Sequence, residues 1–143
     1  MEKYIHKVQY YETDKMQITH HSNYIRFMEE ARTDFLTQIG WGYEKLEKEG
    51  IVSPVVDVSC EYKKTTTFSD IIEIEVKLLE LTAVRLKLGY VMTVEGEIVF
   101  KATSTHCFLD ERSKPMIIKK QYPEFYNALQ VYLKEQSYPV CQV

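Results

Sequence analysis

The chain has 143 residues, 45% of them hydrophobic and 27% charged, with a formal net charge of -3 at pH 7. That length supports one domain, residues 1–143, with a core of ordinary size. The acidic balance speaks against a nucleic-acid binder, which shows a basic excess or patch, and the apolar runs fall far short of the roughly 20 residues of a membrane span. The opening Met1-Glu2-Lys3-Tyr4-Ile5-His6 lacks the apolar stretch of a signal peptide. Cys60, Cys107 and Cys141 are odd in number and widely spaced, so neither a disulfide framework nor a zinc site is implied. The expectation is a cytoplasmic protein without metal or cofactor.

Ile5 to Glu12 reads as a strand, with Val8, Tyr10 and Glu12 on one face by alternation. If the chain stays extended to Asp14, Tyr10 and Asp14 share that face. Lys15 to Asn23 is a polar loop by composition. From Ser22 to Ile39 the residues Tyr24, Phe27/Met28, Ala31, Phe35 and Ile39 recur at spacings of three and four, which predicts an amphipathic helix. Ser22 or Asn23 suits its N-cap and Gly40 its end, with Glu29, Glu30, Arg32 and Asp34 on the wetter face. A short helix over Tyr43 to Lys48 stops at Gly50.

The period then changes to two. Val56, Val58, Cys60 and Tyr62 alternate with polar residues, as do Ile72, Ile74, Val76 and Leu78. Val84 to Val94 and Ile98 to Leu109 form two more strands, joined by a hairpin at Glu95-Gly96. Pro123 opens a terminal helix carrying Phe125, Leu129 and Leu133. The sum is an α+β fold: a curled antiparallel sheet wrapped around one long helix. Its open edges favour dimerisation through a continuous sheet.

A carboxylate, Asp14, thus closes a strand, and His21 follows where a helix begins. The run Val8-x-Tyr10-x-x-Thr13-Asp14-x-x-x-Ile18-x-x-His21-x-Asn23-Tyr24 resembles the hot-dog-fold acyl-CoA thioesterases of the 4-hydroxybenzoyl-CoA thioesterase type. Phe27-Met28-Glu29-Glu30-Ala31-Arg32 is similar to that family's aromatic-x-Glu-x-Ala-Arg stretch, and Tyr62 to Asp70 to its basic-then-acidic approach to the third strand. The resemblance implies that Asp14 is the catalytic carboxylate, as nucleophile or general base, assisted by Tyr10 and His21. It also implies that Gln17, Asn23 and Tyr24 lie at the substrate, with backbone N–H groups around Ser22 to Tyr24 polarising the thioester oxygen. An acyl-CoA substrate, a homodimer or a dimer of dimers (a homotetramer), and no metal or cofactor are further implications. Two departures stand out: Gln17 replaces a glycine usual three residues after the aspartate, and Thr65 replaces a proline.

Taken alone, each residue also fits a plainer role. Aspartate favours turns and caps, Tyr10 is one of 11 tyrosines, Asn23 suits a cap, and His20 and His106 suit a loop and a core. No GxSxG elbow supports a serine thioesterase, and Cys60 and Cys107 read as buried hydrophobes. Lys63, Lys64 and Arg85 are candidates for the coenzyme A phosphates on charge alone. Three rivals accompany the acyl-CoA thioesterase: an acyl carrier protein thioesterase, a non-catalytic acyl-thioester binder suggested by Gln17, and a hydratase.

Overall fold

The computed structural model describes residues 1–137, so Cys141 lies outside the described residues. The strands are β1 (Tyr4–Lys7), β2 (Val55–Tyr62), β3 (Ile71–Leu81), β4 (Arg85–Val94) and β5 (Glu97–Cys107). They form one sheet in the order β1-β3-β4-β5-β2, with every neighbouring pair antiparallel. Alternation sets its inner face: Ile72, Ile74, Val76 and Leu78 of β3 meet Leu86, Leu88, Tyr90 and Met92 of β4, all buried. Between β4 and β5, Glu95 and Gly96 both take positive φ (50° and 81°), the two-residue turn whose twist matches the flanking strands. Irregularities at Val55/Asp57, Leu78/Glu80 and Met92/Thr93 add local bends.

Helix α1 (Asn23–Gln38) buries Tyr24, Phe27, Met28, Ala31, Phe35 and Leu36, one stripe at helical spacing. That stripe packs against β1 and β3, and at its start Tyr24 stacks on Phe100 of β5 with centroids 4.8 Å apart. The short helix α2 spans Tyr43–Lys48 as read from the sequence. After β5 come a one-turn helix α3 (Ile118–Gln121), which no periodicity announced, and α4 (Pro123–Ser137), which opens on Pro123. In α4, Phe125 meets Trp41 at 5.0 Å and Phe108 at 5.7 Å, closing one end of the core.

Four expectations need correction. The first strand ends at Lys7, and Tyr10–Glu12 form a 3-10 turn instead of continuing it. The cause is pairing: Val8 exchanges backbone bonds with Asp70 and Ser69, after which the Glu12 carboxylate accepts the Gln9 N–H at 2.7 Å and folds the chain back. Val8 and Glu12 are buried while Tyr10 is 77% exposed, so these residues do not share a strand face. Neither predicted cap accepts a helix N–H, because Ser22 Oγ bonds His20 Nδ1 and the Asn23 amide reaches back to Glu12.

Arg32 is not on the wet face either: its side chain is only 13% exposed and pairs with Glu29. Finally, β2 is an edge strand whose alternation buries little. Val55, Val56, Val58 and Tyr62 remain 37–49% exposed. Its Cys60 is half-buried, and burial pushes the thiol up, away from the reactive thiolate. His106, by contrast, is a core residue.

Candidate active site

Asp14 sits in a tight reversal between two paired threonines, Thr13 and Thr19. Its N–H donates to the Ile18 carbonyl at 2.9 Å and its own carbonyl accepts the Gln17 N–H at 2.9 Å. One carboxylate oxygen accepts the Met16 N–H at 2.8 Å, which fixes the side chain. No bond among the described residues engages the other oxygen, and the residue is half-buried. The reversal therefore presents a carboxylate anchored through one oxygen and open at the second.

Gln17 closes this turn at φ 65°. Here the chain requires the left-handed conformation that glycine adopts without strain. The loop forms all the same, braced by Thr67 Oγ1, which donates to the Gln17 carbonyl at 2.7 Å. The Gln17 side chain is exposed and contributes nothing to that brace.

Behind the loop, the stretch from Tyr62 to Asp70 acts as a buttress. The Thr19 N–H donates to the Thr66 carbonyl at 2.8 Å, the two threonine hydroxyls meet at 2.6 Å, and Tyr24 Oη joins Thr66 Oγ1 at 2.9 Å. Thr66 is 2% exposed, so these hydroxyls satisfy one another in the core. Burial pushes the Tyr24 phenol up, against the opposing effect of its Thr66 bond, and keeps it neutral. The Tyr24 ring is walled in by Phe27, Tyr62 and Phe100, which leaves only its backbone for a ligand. The side chain is thus a core group, and the expectation of a substrate contact rests on the backbone N–H.

The other named residues separate in a similar way. The Asn23 amide donates to the Glu12 carbonyl at 2.8 Å, a tether across the helix start. His21 is exposed, leans on His20 with centroids 4.3 Å apart, and offers its carbonyl to Tyr62. Tyr10 is exposed and meets Phe68 edge-on at 6.0 Å. Among the described residues no hydrogen bond or ion pair joins Asp14 to His21 or to Tyr10. The N–H groups of Ser22, Asn23 and Tyr24 already donate to His20 Nδ1, His20 O and His21 O at 3.3, 3.0 and 3.4 Å. Of the phosphate candidates, Lys63 pairs with Glu61 and Lys64 with Glu97, all exposed.

Sequence reasoning missed Glu12, a carboxylate only 6% exposed. Its Oε1 lies 2.8 Å from His6 Nε2, a contact six residues apart that no local pattern signals. It also missed the buried chain Tyr90–Ser104–His106, joined at 2.8 and 2.7 Å. Burial first, then the Arg32 guanidinium, lower His106 to about 4, while Asp57 and the Pro54 carbonyl pull the other way. Burial pushes Tyr90 up to about 12. Both groups are neutral near pH 7 and sealed from solvent, so this chain is a packing network. A cavity of about 400 Å³ between α1, α2 and residues 50–54 is lined by Arg32, Leu36, Leu46, Ile51 and Pro54 among others, but by neither Asp14 nor His21.

The family profile described as the thioesterase-like superfamily matches residues 8–131. The chain belongs to that superfamily. Among thioesterase-like relatives, YneP of Bacillus subtilis (strain 168), provisionally named an acyl-CoA thioesterase, is 35% identical over 124 residues, 85% of this chain and 90% of that one. A crystal structure from Aquifex aeolicus superposes with a TM-score of 0.81 at 36% identity, covering 87% of this chain and 98% of the other. The DHNA-CoA thioesterase of Staphylococcus aureus gives a TM-score of 0.90 at 26% identity, covering 97% and 96%. The shared architecture is the hot-dog fold, and the α+β reading of the sequence agrees with it.

Proposed function

We propose that this thioesterase-like chain hydrolyses acyl-CoA thioesters to a carboxylic acid and free coenzyme A, with Asp14 as the reacting carboxylate. The carrying observation is the Asp14 side chain itself, anchored at one oxygen by the Met16 N–H and open at the other. A thioester carbonyl is electrophilic and a thiolate leaves readily, so a single carboxylate is sufficient reacting machinery. As base it takes a proton from the attacking water; as nucleophile it forms an anhydride that water then opens. In either case the carbonyl–sulfur bond breaks and the thiolate regains a proton.

Tyr10 and His21 are the assisting residues, and the start of α1 supplies positive potential for the developing oxyanion. Of its N–H groups, that of Tyr24 makes the longest bond, at 3.4 Å, and is the easiest to redirect to substrate. Gln17 and Asn23 are assigned to the substrate on the same resemblance. The finer placement with the 4-hydroxybenzoyl-CoA thioesterase type rests on the run from Val8 to Tyr24. The names of YneP and of the Staphylococcus aureus enzyme support coenzyme A as carrier.

The exposed apolar edge of β2 supports a second copy as partner, its β2 extending the sheet in a cytoplasmic homodimer or dimer of dimers. Replacing one outward valine, Val58→Lys, should shift the protein towards monomer in light scattering; an unchanged mass counts against this edge as the contact.

The activity is tested with a panel of acyl-CoA esters of different chain length and ring content. Asp14→Asn should lower turnover by about 10²- to 10⁴-fold, with fold and assembly retained. Wild-type turnover in that variant, or none from the wild type on any ester, would sink the proposal. The same acyl group on acyl carrier protein separates the two carriers.

A further inference from the structure

We propose that His6 is a positioning residue for the reacting carboxylate, acting through the buried carboxylate of Glu12. This rests on the reading of Asp14 as the reacting group. His6 stands on β1 with its ring tilted over Phe27, centroids 4.0 Å apart, and its side chain is 11% exposed. Its Nε2 lies 2.8 Å from Glu12 Oε1 and its Nδ1 lies 3.0 Å from Glu30 Oε2. Each ring nitrogen thus faces a carboxylate oxygen at hydrogen-bond distance.

Glu12 is the junction through which this contact reaches the site. Its Oε1 also accepts the Gln9 N–H at 2.7 Å, which closes the 3-10 turn. Its carbonyl accepts both the His20 N–H and the Asn23 side-chain amide, each at 2.8 Å. One residue thus ties together β1, the turn before Asp14, the chain leaving the Asp14 loop and the first residue of α1. Asp14 follows it by two positions.

A buried carboxylate stays in place only while it is paired. Without His6, Glu12 is left with the Gln9 N–H alone and is driven towards water. The turn that carries Asp14 moves with it. Glu30, at 43% exposure, is the outer partner and has water as a substitute. The strand, turn and helix would survive its neutralisation with little change.

The test compares His6→Gln, Glu12→Gln and the control Glu30→Gln, with two readouts. Glu12→Gln keeps the size and the acceptor oxygen for Gln9, so the fold is retained even if His6→Gln is lost. Amide exchange at Asp14, Met16 and Gln17 should quicken about tenfold in the first two variants, with the β3–β4 amides unchanged. On the best ester, kcat should fall roughly tenfold or more with KM altered less than about threefold, since displacement of a reacting group acts on the chemical step. The double variant should lose no more than the worse single one, and Glu30→Gln should stay within about threefold of wild type.

Folded Glu12→Gln with wild-type loop exchange and wild-type kcat overturns the proposal. So does a kcat loss no larger than the loss of folded fraction. Failure of the underlying reading looks different: turnover indifferent to Asp14→Asn, or absent, with the loop exchange still deciding whether His6 holds the turn.

Discussion

Tyr62 donates its hydroxyl proton to the carbonyl of His21 at 2.9 Å. The bond spans from the last residue of β2, an edge strand, to the turn that starts α1, so the sheet edge and the candidate site share one contact. Tyr62 also lies edge-on to Tyr24 and Phe100, at 5.4 and 5.1 Å.

Tyr62→Phe keeps the rings and removes only the hydroxyl. Because the His21 carbonyl faces water, which replaces the lost donor, stability should fall by about 1 kcal/mol. Urea unfolding measures it, and a loss several times larger would show that the bond holds more than the turn.

Gln17→Gly should relieve the positive φ at the close of the Asp14 reversal. Left-handed backbone costs a non-glycine residue roughly 1–2 kcal/mol, part of which the greater freedom of an unfolded glycine offsets. A gain of up to about 1 kcal/mol is expected, because the Thr67 brace engages the backbone carbonyl and is kept. A lower thermal midpoint would mean that the amide side chain makes a contribution of its own.

His106 makes stability depend on acid. Its folded value of about 4 lies below its ordinary value of 6.5, so the unfolded chain binds the proton more readily between the two. The stabilisation is complete above pH 6.5 and is lost as pH falls towards 4, by about 3 kcal/mol at the lower end. Comparing unfolding midpoints across that window, His106→Gln should show a flatter acid slope than the wild type. Parallel slopes would assign the acid sensitivity to other groups.

Phe100 is fully buried and touches both Tyr24 and Tyr62. Phe100→Ala should cost about 3–5 kcal/mol, and the milder Phe100→Leu less than half of that. Chemical denaturation of the two variants checks the ordering; equal losses would mean that the aromatic contacts outweigh the cavity.

The parts of this fold that a sequence states are those set by local periodicity. β3 and β4 alternate because one face is core and the other is more open, and the Glu95-Gly96 turn has its own backbone demand. The stripe on α1 was equally legible. What failed was settled at a distance. Tyr10 and Glu12 fit a strand pattern until Asp70 and Ser69 take the Val8 backbone and His6 takes the Glu12 carboxylate. α3 is a single turn of Ile-Lys-Lys-Gln, too short for any period to show. At the candidate site, composition marked the polar loop after Asp14, but the hydrogen-bond partners of Asn23 and Tyr24 lie 11 and 42 residues away.

The valines left uncovered on β2 have a consequence for anyone handling the protein. If a second copy covers them, folding and association become one equilibrium, and the melting temperature rises with the amount of protein in the tube. Specific activity measured at high dilution would then decline as the covered edge is shed, while the same preparation assayed concentrated stays at full rate.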